Sequence, residues 1–355
     1  MKGSNIAKLA SSMTAIAAGC PSEGLRDESR YVIVADLRMG DGGSKDELAK
    51  ARKAIFAILG KWYFPRGYTL VLNGDIEDLR RFWLKDILAA WPEMYALFDS
   101  FKEKGRLRKI VGERDLPLLR LRSYPYELSQ GLRLDVQKSF LLVFHGHQAS
   151  PPFVGRDYLS DYMVHWLGSS KRSKAEAEEE DRGERFKAER RLYRASSRLG
   201  IVAIQGHTRR PLFESRTNRD SIRAEVERLL HEGDPRDGDS KLDELIAIYR
   251  RELRKGGRRS LPSGPSYDER NLVSPCLFSP GRVVGAKTQG ARGLRMLEIE
   301  DGLLSLVRWG SARSVAAGPP RILEGTPYAR FLTRAAPIQG LFERIDLLAP
   351  KGDGL

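Results

Sequence analysis

Strand-like runs that each end within a few residues of an acid or a histidine constrain this chain more than any other feature. They fall at 31–35, 70–73, 108–112, 140–144 and 201–205. Between them lie helical patterns at 45–59, at 79–97 with apolar residues near 3.6-residue spacing, and around 158–167. Such alternation predicts an α/β fold in which ligand chemistry gathers at the carboxyl edge of a sheet. After residue 270 the pattern changes to short strands with turns: "LVSPCLF", "RVVGAKT", "LRMLEIE" and, past Asp301-Gly302, "LLSLVRWG". These read as an antiparallel meander that would supply a second sheet packed on the first.

A chain of 355 residues with 41% hydrophobic content can bury a sizeable core. No run reaches the roughly 18 to 20 apolar residues needed to cross a bilayer, which argues against an integral membrane protein. Residues 1–29 form a leader or docking helix in this reading, because Ile6, Leu9, Met13 and Ile16 fit one helix face. Lys8 interrupts the apolar run, so a lipoprotein signal ending at Cys20 is not expected. Cys20 and Cys276 make no disulfide framework and suit a reducing cytoplasm, with peripheral membrane contact as a further expectation.

The formal charge of +14 favours acidic partners: phosphorylated metabolites, anionic lipid surfaces or nucleic acid. Much of it sits in "YRRELRKGGRR" (249–259), where six basic residues accompany one acid, Glu252. That run reads as a solvated helix face followed by a loop; it carries no nucleic-acid module and no aromatic stacking pattern. Two segments stand apart as insertions. Residues 152–199 read as cap-like helices, ending in a highly charged one, and 215–265 as a basic helical insertion.

Five strand-end motifs occur in order: Asp36-Leu37-Arg38; "NGDIED" with Asp75 and Asp78; "GERD" with Glu113, Arg114 and Asp115; "FHGH" with His145 and His147; and "GHTR" with His207 and Arg209. Each alone is weak, since a Gly-Asp after a strand is commonly a turn. Three of the chain's five histidines nevertheless sit in them.

This order resembles the calcineurin-like metallophosphoesterase superfamily, with motifs Asp-x-His, Gly-Asp-x-x-Asp, Gly-Asn-His-Asp, a strand-end His, and Gly-His-x-His. "LVLNGDIEDLRRFW", "FHGHQ", "GHTRRPLF" and "LRMLEIEDGLLSLVRW" look like the branch containing UDP-2,3-diacylglucosamine hydrolases. The resemblance implies a four-layer α/β/β/α sandwich of two mixed sheets with helical insertions over residues 30–310, leaving 311–355 as a tail. It also implies two-metal hydrolysis of a phosphoric ester.

Carried over by position, the first metal would use Asp36, residue 38, Asp75 and residue 209; the second would use Asp75, Glu113, His145 and His207. Positions 38 and 209 are arginine here, and guanidinium donates hydrogen bonds but cannot ligate. The first site is therefore expected to be lost, with Arg38 and Arg209 paired to the aspartates. The second is expected to hold at most one divalent ion, Mn, Zn or Mg. Arg114 replaces a histidine that would steady the leaving oxygen; it can stabilise charge but cannot act as a general acid near neutral pH. Arg38, Arg114 and Arg209 are the expected phosphate contacts, and Arg114 and His147 the expected catalytic groups.

Three functions follow as expectations. The first is a degenerate phosphoesterase whose pocket binds a phosphorylated small molecule or lipid headgroup, with protein partners engaged through the insertions. The second is an active single-metal phosphohydrolase of a pyrophosphate or phosphodiester. The third is a nucleic-acid or partner-binding protein using the basic insertion.

Overall fold

The computed structural model describes residues 2–150, 174–217, 273–283, 293–313 and 319–348. Two mixed sheets carry the fold. The larger contains β2 (Tyr31–Val34), β3 (Thr69–Asn73), β4 (Leu107–Ile110), β5 (Leu128–Ser129), β10 (Leu294–Glu300), β11 (Leu303–Ser311), β12 (Arg321–Ile322) and β13 (Tyr328–Pro337). Its order is β12-β13-β11-β10-β2-β3-β4-β5, parallel from β2 to β5 and antiparallel beyond β2 on the other side. The smaller contains β1 (Ser22–Gly24), β6 (Gly131–Val136), β7 (Ser139–Phe144), β8 (Val202–Ile204) and β9 (Leu277–Phe278), in that order. Only the β6–β7 pairing is antiparallel within it.

Val32 and Val34 face one way from β2 and Tyr31 and Ile33 the other, and this period of two sorts the residues into two cores. The first core lies between the sheets and continues under α1 (Lys2–Gly19) and α5 (Lys174–Leu199). The second lies between the larger sheet and α2 (Arg52–Ile58), α3 (Leu84–Ala90) and α4 (Pro92–Glu103). The result is a layered mixed α/β sandwich with helices outside both sheets. In α1, Leu9, Met13 and Ile16 are buried against the smaller sheet, the face expected from their spacing.

Several elements differ from the sequence reading for identifiable reasons. The helix expected over 79–97 is two helices, because Pro92 lacks an N–H and takes the first position of α4. "LVSPCLF" does not join a meander: β9 is only two residues and pairs parallel with β8 in the smaller sheet. "RVVGAKT" lies outside the described residues past Val283.

The segment read as a tail is also part of the fold. Strand β13 pairs with β11 along its length, and helix α6 (Ile338–Leu348) follows it with Ile338, Leu341, Phe342 and Ile345 buried. A buried cluster fixes this end: Arg330 grips Glu298 through two guanidinium nitrogens, and Glu298 also accepts a hydrogen bond from Tyr63. Of the 152–199 insertion, the described end of α5 buries Ala188, Leu192, Tyr193 and Ala195 and forms the outer layer on the smaller sheet. The part of the 152–199 insertion up to residue 173, and the insertion at 215–265 beyond residue 217 with the 249–259 run inside it, lie outside the described residues.

Candidate active site

Parallel strands deliver their carboxyl ends to one place. Asp36 follows β2, Asp75 follows β3, and Glu113 and Arg114 follow β4 in the larger sheet. His145 follows β7 and His207 follows β8 in the smaller one. The sheets are tied at this edge by His145 Nδ1, 3.0 Å from the carbonyl of Asn73, and within the smaller sheet the His145 carbonyl accepts from the backbone N–H groups of Gly206 and His207. Glycine makes the close approach feasible. A Cβ at Gly74 would come within 2.5 Å of the His145 ring, and one at Gly112 within 2.3 Å of the Asp75 amide nitrogen.

On one side, Asp36 Oδ1 accepts hydrogen bonds from Arg38 Nε and Arg209 Nε, both at 3.0 Å. The second Arg38 nitrogen, Nη2, stands 3.8 Å from Asp75 Oδ2. Arg38 and Arg209 are almost wholly buried, with side-chain exposures of 3% and 7%. Asp36, Arg38, Asp75 and Arg209 share a left-handed backbone, with φ of 55°, 53°, 54° and 59°. Non-glycine residues seldom adopt it, and at about 1–3 kcal/mol each the conformation needs support from its surroundings. Here the ion pairs supply it.

Asp75 sits between the two halves. Its Oδ1 accepts the Arg114 backbone N–H at 2.9 Å and lies 3.4 Å from His145 Nε2, while Arg114 Nε stands 3.7 Å from its Oδ2. Burial opposes its charge, but His145, Arg38 and Arg114 overcome this and hold the carboxyl well below the usual range. His145 responds in kind. Burial alone would lower it, yet the adjacent Asp75 and Asp36 raise it to about 10.

On the other side, Glu113 Oε2 faces His207 Nδ1 at 3.9 Å and Arg80 at 3.6 Å. Burial again works against ionisation, and His207, Arg80 and Arg114 still keep Glu113 below the ordinary carboxylate value. His207 Nε2 lies 2.8 Å from the Ser150 hydroxyl. His147 is buried in the short turn 147–149, its ring 5.5 Å from that of His145 and 6.4 Å from that of His207. Burial and the charge on His145 push His147 well below the usual imidazole value.

Asp78 and Asp115 support the loops. Asp78 Oδ1 accepts from an Arg114 guanidinium nitrogen at 2.7 Å. The Asp115 carboxylate takes the backbone N–H groups of Ile76 and Gly112 and so joins the β3 and β4 loops. Beneath them a fully buried Lys109–Glu77 pair closes at 2.6 Å, and Glu77 also accepts from Tyr95 and Tyr124.

Could this edge hold a metal? Among the described residues, Asp36, Asp75 and His145 bring one ligating atom each within 4.8 Å of one another. Asp36 Oδ2, Asp75 Oδ2 and His145 Nε2 are buried with no hydrogen-bond partner, which is the condition a ligand atom needs. Glu113 and His207, expected in the same ligand set, stand outside that group. The residues thus fit one ion, bordered by guanidinium groups. The Asp36 half offers no second ligand set, because Arg38 and Arg209 hold its Oδ1.

Residues that sequence reasoning did not single out complete the surroundings. Glu47 accepts from Arg38 at 3.5 Å and Arg81 at 3.2 Å and pairs with Arg282 at 3.4 Å. Arg185 of α5 lies near Arg38 and Asp36, and burial together with the Arg38 charge lowers it to about 10. Only the three-residue step from Asp78 to Arg81 carries a sequence signal, and it is faint.

No protein-family model matches the chain, and no curated protein sequence matches it. Several solved structures are similar to it at low levels, among them the following three. A conserved uncharacterised protein from Streptococcus pneumoniae TIGR4, described as a predicted phosphoesterase, is 13% identical, with 86% of this chain and 97% of that one covered and a TM-score of 0.28. Yfce, a phosphoesterase from E. coli, is 12% identical over 78% and 91% of the two chains, with a TM-score of 0.32. A single-substitution variant of Vps29 from Entamoeba histolytica is 9% identical over 79% and 91%, with a TM-score of 0.29. At these scores the likenesses carry no weight in assigning chemistry.

Proposed function

We propose that this chain is a degenerate phosphoesterase whose pocket binds a phosphorylated ligand through arginine and holds at most one divalent ion. One observation carries the reading: two guanidinium groups share a single oxygen of Asp36 at 3.0 Å, where a metal would otherwise be bound. The local charges support it further. Asp36, Asp75 and Glu113 are already balanced by Arg38, Arg114 and Arg209, so a pair of dications would leave several buried charges unmatched. Guanidinium matches phosphate oxygens in shape and charge, and the same side chains therefore suit an anion.

A second reading rests on the three buried atoms of Asp36, Asp75 and His145 that make no hydrogen bond. An ion held there would supply hydroxide and polarise a phosphoryl oxygen. Without a general acid at position 114, substrates with good leaving groups are favoured, so a phosphoanhydride would turn over and an alkyl ester would not.

Titration calorimetry with pyrophosphate in excess chelator separates the readings from a two-metal enzyme. Binding should persist without metal and weaken about 10- to 100-fold in Arg209→Gln, the range for one charge-assisted hydrogen bond. Elemental analysis should give no more than one ion per chain. Metal-dependent hydrolysis of pyrophosphate that vanishes in Asp75→Asn would favour the second reading. Two ions per chain, or pyrophosphate binding only when metal is present, would sink the first.

A further inference from the structure

Helices α1 and α5 run side by side on the outside of the smaller sheet, and between them lies a cavity of about 300 Å³. Asn5, Ile6, Lys187, Arg190, Arg191 and Arg194 line it, so four of its six residues are cationic and none is acidic. Glu189, between Lys187 and Arg190, is turned inward and held by Arg210. Arg191 donates to the Ala149 carbonyl at 2.8 Å, which fixes the wall of the cavity to the turn beside the candidate active site.

The cations extend beyond the cavity. Lys187, Arg190, Arg194 and Arg198 follow at steps of three and four residues, which places them along one helix face. Lys187, Arg194 and Arg198 are exposed and Arg190 half-buried; Lys8 of α1 is exposed as well. The opposite face of the helix is spent on the core through Ala188, Leu192, Tyr193 and Ala195. What remains outside is a cationic rim over a floor of Ile6 and the methylene stems of long basic side chains.

We propose that this groove docks the protein on an anionic phospholipid surface, with a headgroup phosphate held by Lys187, Arg190 and Arg194. Charge complementarity selects an anion, and the carbon floor under the charges suits an amphiphile. No aromatic ring lines the cavity, so the stacking platform that single-stranded nucleic acid uses is absent from it. Among the described residues no helix is long and apolar enough to cross a membrane, and the contact is one of surface charge with headgroups. The site is separate from the pocket of the preceding section and stands whether or not that pocket turns substrate over.

Vesicle flotation with the full chain tests it, comparing neutral phosphatidylcholine with vesicles carrying 30% phosphatidylglycerol, a composition of about one anionic lipid in three. Binding should appear only with the anionic vesicles and fall when salt shortens the Debye length from about 10 Å to about 3 Å. Lys187→Gln/Arg190→Gln/Arg194→Gln should weaken it about a hundredfold, given the worth of each surface cation. An equal-charge control, Lys50→Gln/Lys53→Gln/Lys61→Gln on the other helical layer, should change it severalfold less. Both variants should keep the wild-type circular dichroism spectrum and urea-unfolding midpoint, which report folding. Equal losses in the two variants, no binding to anionic vesicles, or tighter binding to a single-stranded RNA oligonucleotide than to vesicles would each overturn the proposal.

Discussion

On the Asp36 side of the pocket each charged group meets an opposite charge at hydrogen-bond range, and the backbone is held left-handed at every ligand position. On the His207 side the groups stand farther apart: Glu113 and His207 approach only to 3.9 Å, and His207 Nδ1 is buried without a hydrogen bond. Both sides are loops at the ends of parallel strands. The difference is therefore in side chains, since an arginine at 38 and 209 brings its own charge, while imidazole at 207 leaves an open lone pair or N–H. One half is closed on Asp36 Oδ1 by internal ion pairs, and the other is paired more loosely.

The strongest way to break that contrast is to remove the group shared by both halves. Asp75→Asn keeps a residue that tolerates φ of 54° but deletes the charge facing Arg38, Arg114 and His145. Stability should drop by about 3–5 kcal/mol, the cost of leaving buried partners uncompensated. Urea unfolding followed by circular dichroism reads this directly. A loss below 1 kcal/mol, the ordinary worth of an exposed pair, would mean that water reaches these groups.

Arg209→His is the next largest step, because it converts one internal cation of the closed half into a ligand. Histidine is among the residues that accept a left-handed backbone, so the loop should survive. Manganese bound per chain at equilibrium dialysis should rise above the wild-type value. An unchanged value would mean that Arg38 alone keeps the half closed.

The halves should also respond differently to pH in the metal-free protein. His145 is raised to about 10, above its unfolded value of 6.5. Its proton is thus bound more tightly in the folded state. The associated stability is fully present below about pH 6.5 and is lost as pH rises toward 10. His207 is lowered, chiefly by burial, so its protonation weakens the fold at acid pH instead. Comparing wild type with His145→Gln across pH 6 to 10 should yield curves that converge at the alkaline end; a constant gap would exclude the linkage.

How much of this could be read from the chain? The strands and their terminal residues were legible, because apolar runs ending in Gly, Asp or His announce a sheet edge, and Asp36, Arg38, Asp75, Glu113, His145 and His207 all arrive there. The pairing of Arg38 and Arg209 with Asp36 followed from the family resemblance, which puts those positions together, and from their opposite charge. Glu47, Arg80 and Arg282 were not legible, since long side chains reach the pocket from loops whose path no local pattern encodes. Strand β13 escaped for another reason: "YARFLTRAAP" mixes arginine into a strand, and only its buried partner Glu298 explains Arg330. Likewise β9 is two residues long, too short for a period of two to register.

The finest test concerns the rim of the open half. Arg80 is 37% exposed and stands 3.6 Å from Glu113, so its charge is screened by solvent in a way that those of Arg38 and Arg209 are not. Arg80→Ala should therefore cost less than about 1 kcal/mol of stability and lower pyrophosphate affinity no more than about fivefold. If the anion rests mainly on the buried arginines, this loss stays well below that of Arg209→Gln in the same calorimeter. A loss as large as that of Arg209→Gln would move the phosphate to the Glu113 side and make the closed half structural. The two substitutions measured together then locate the anion, because groups that act on one phosphate give non-additive losses and groups on separate surfaces give additive ones.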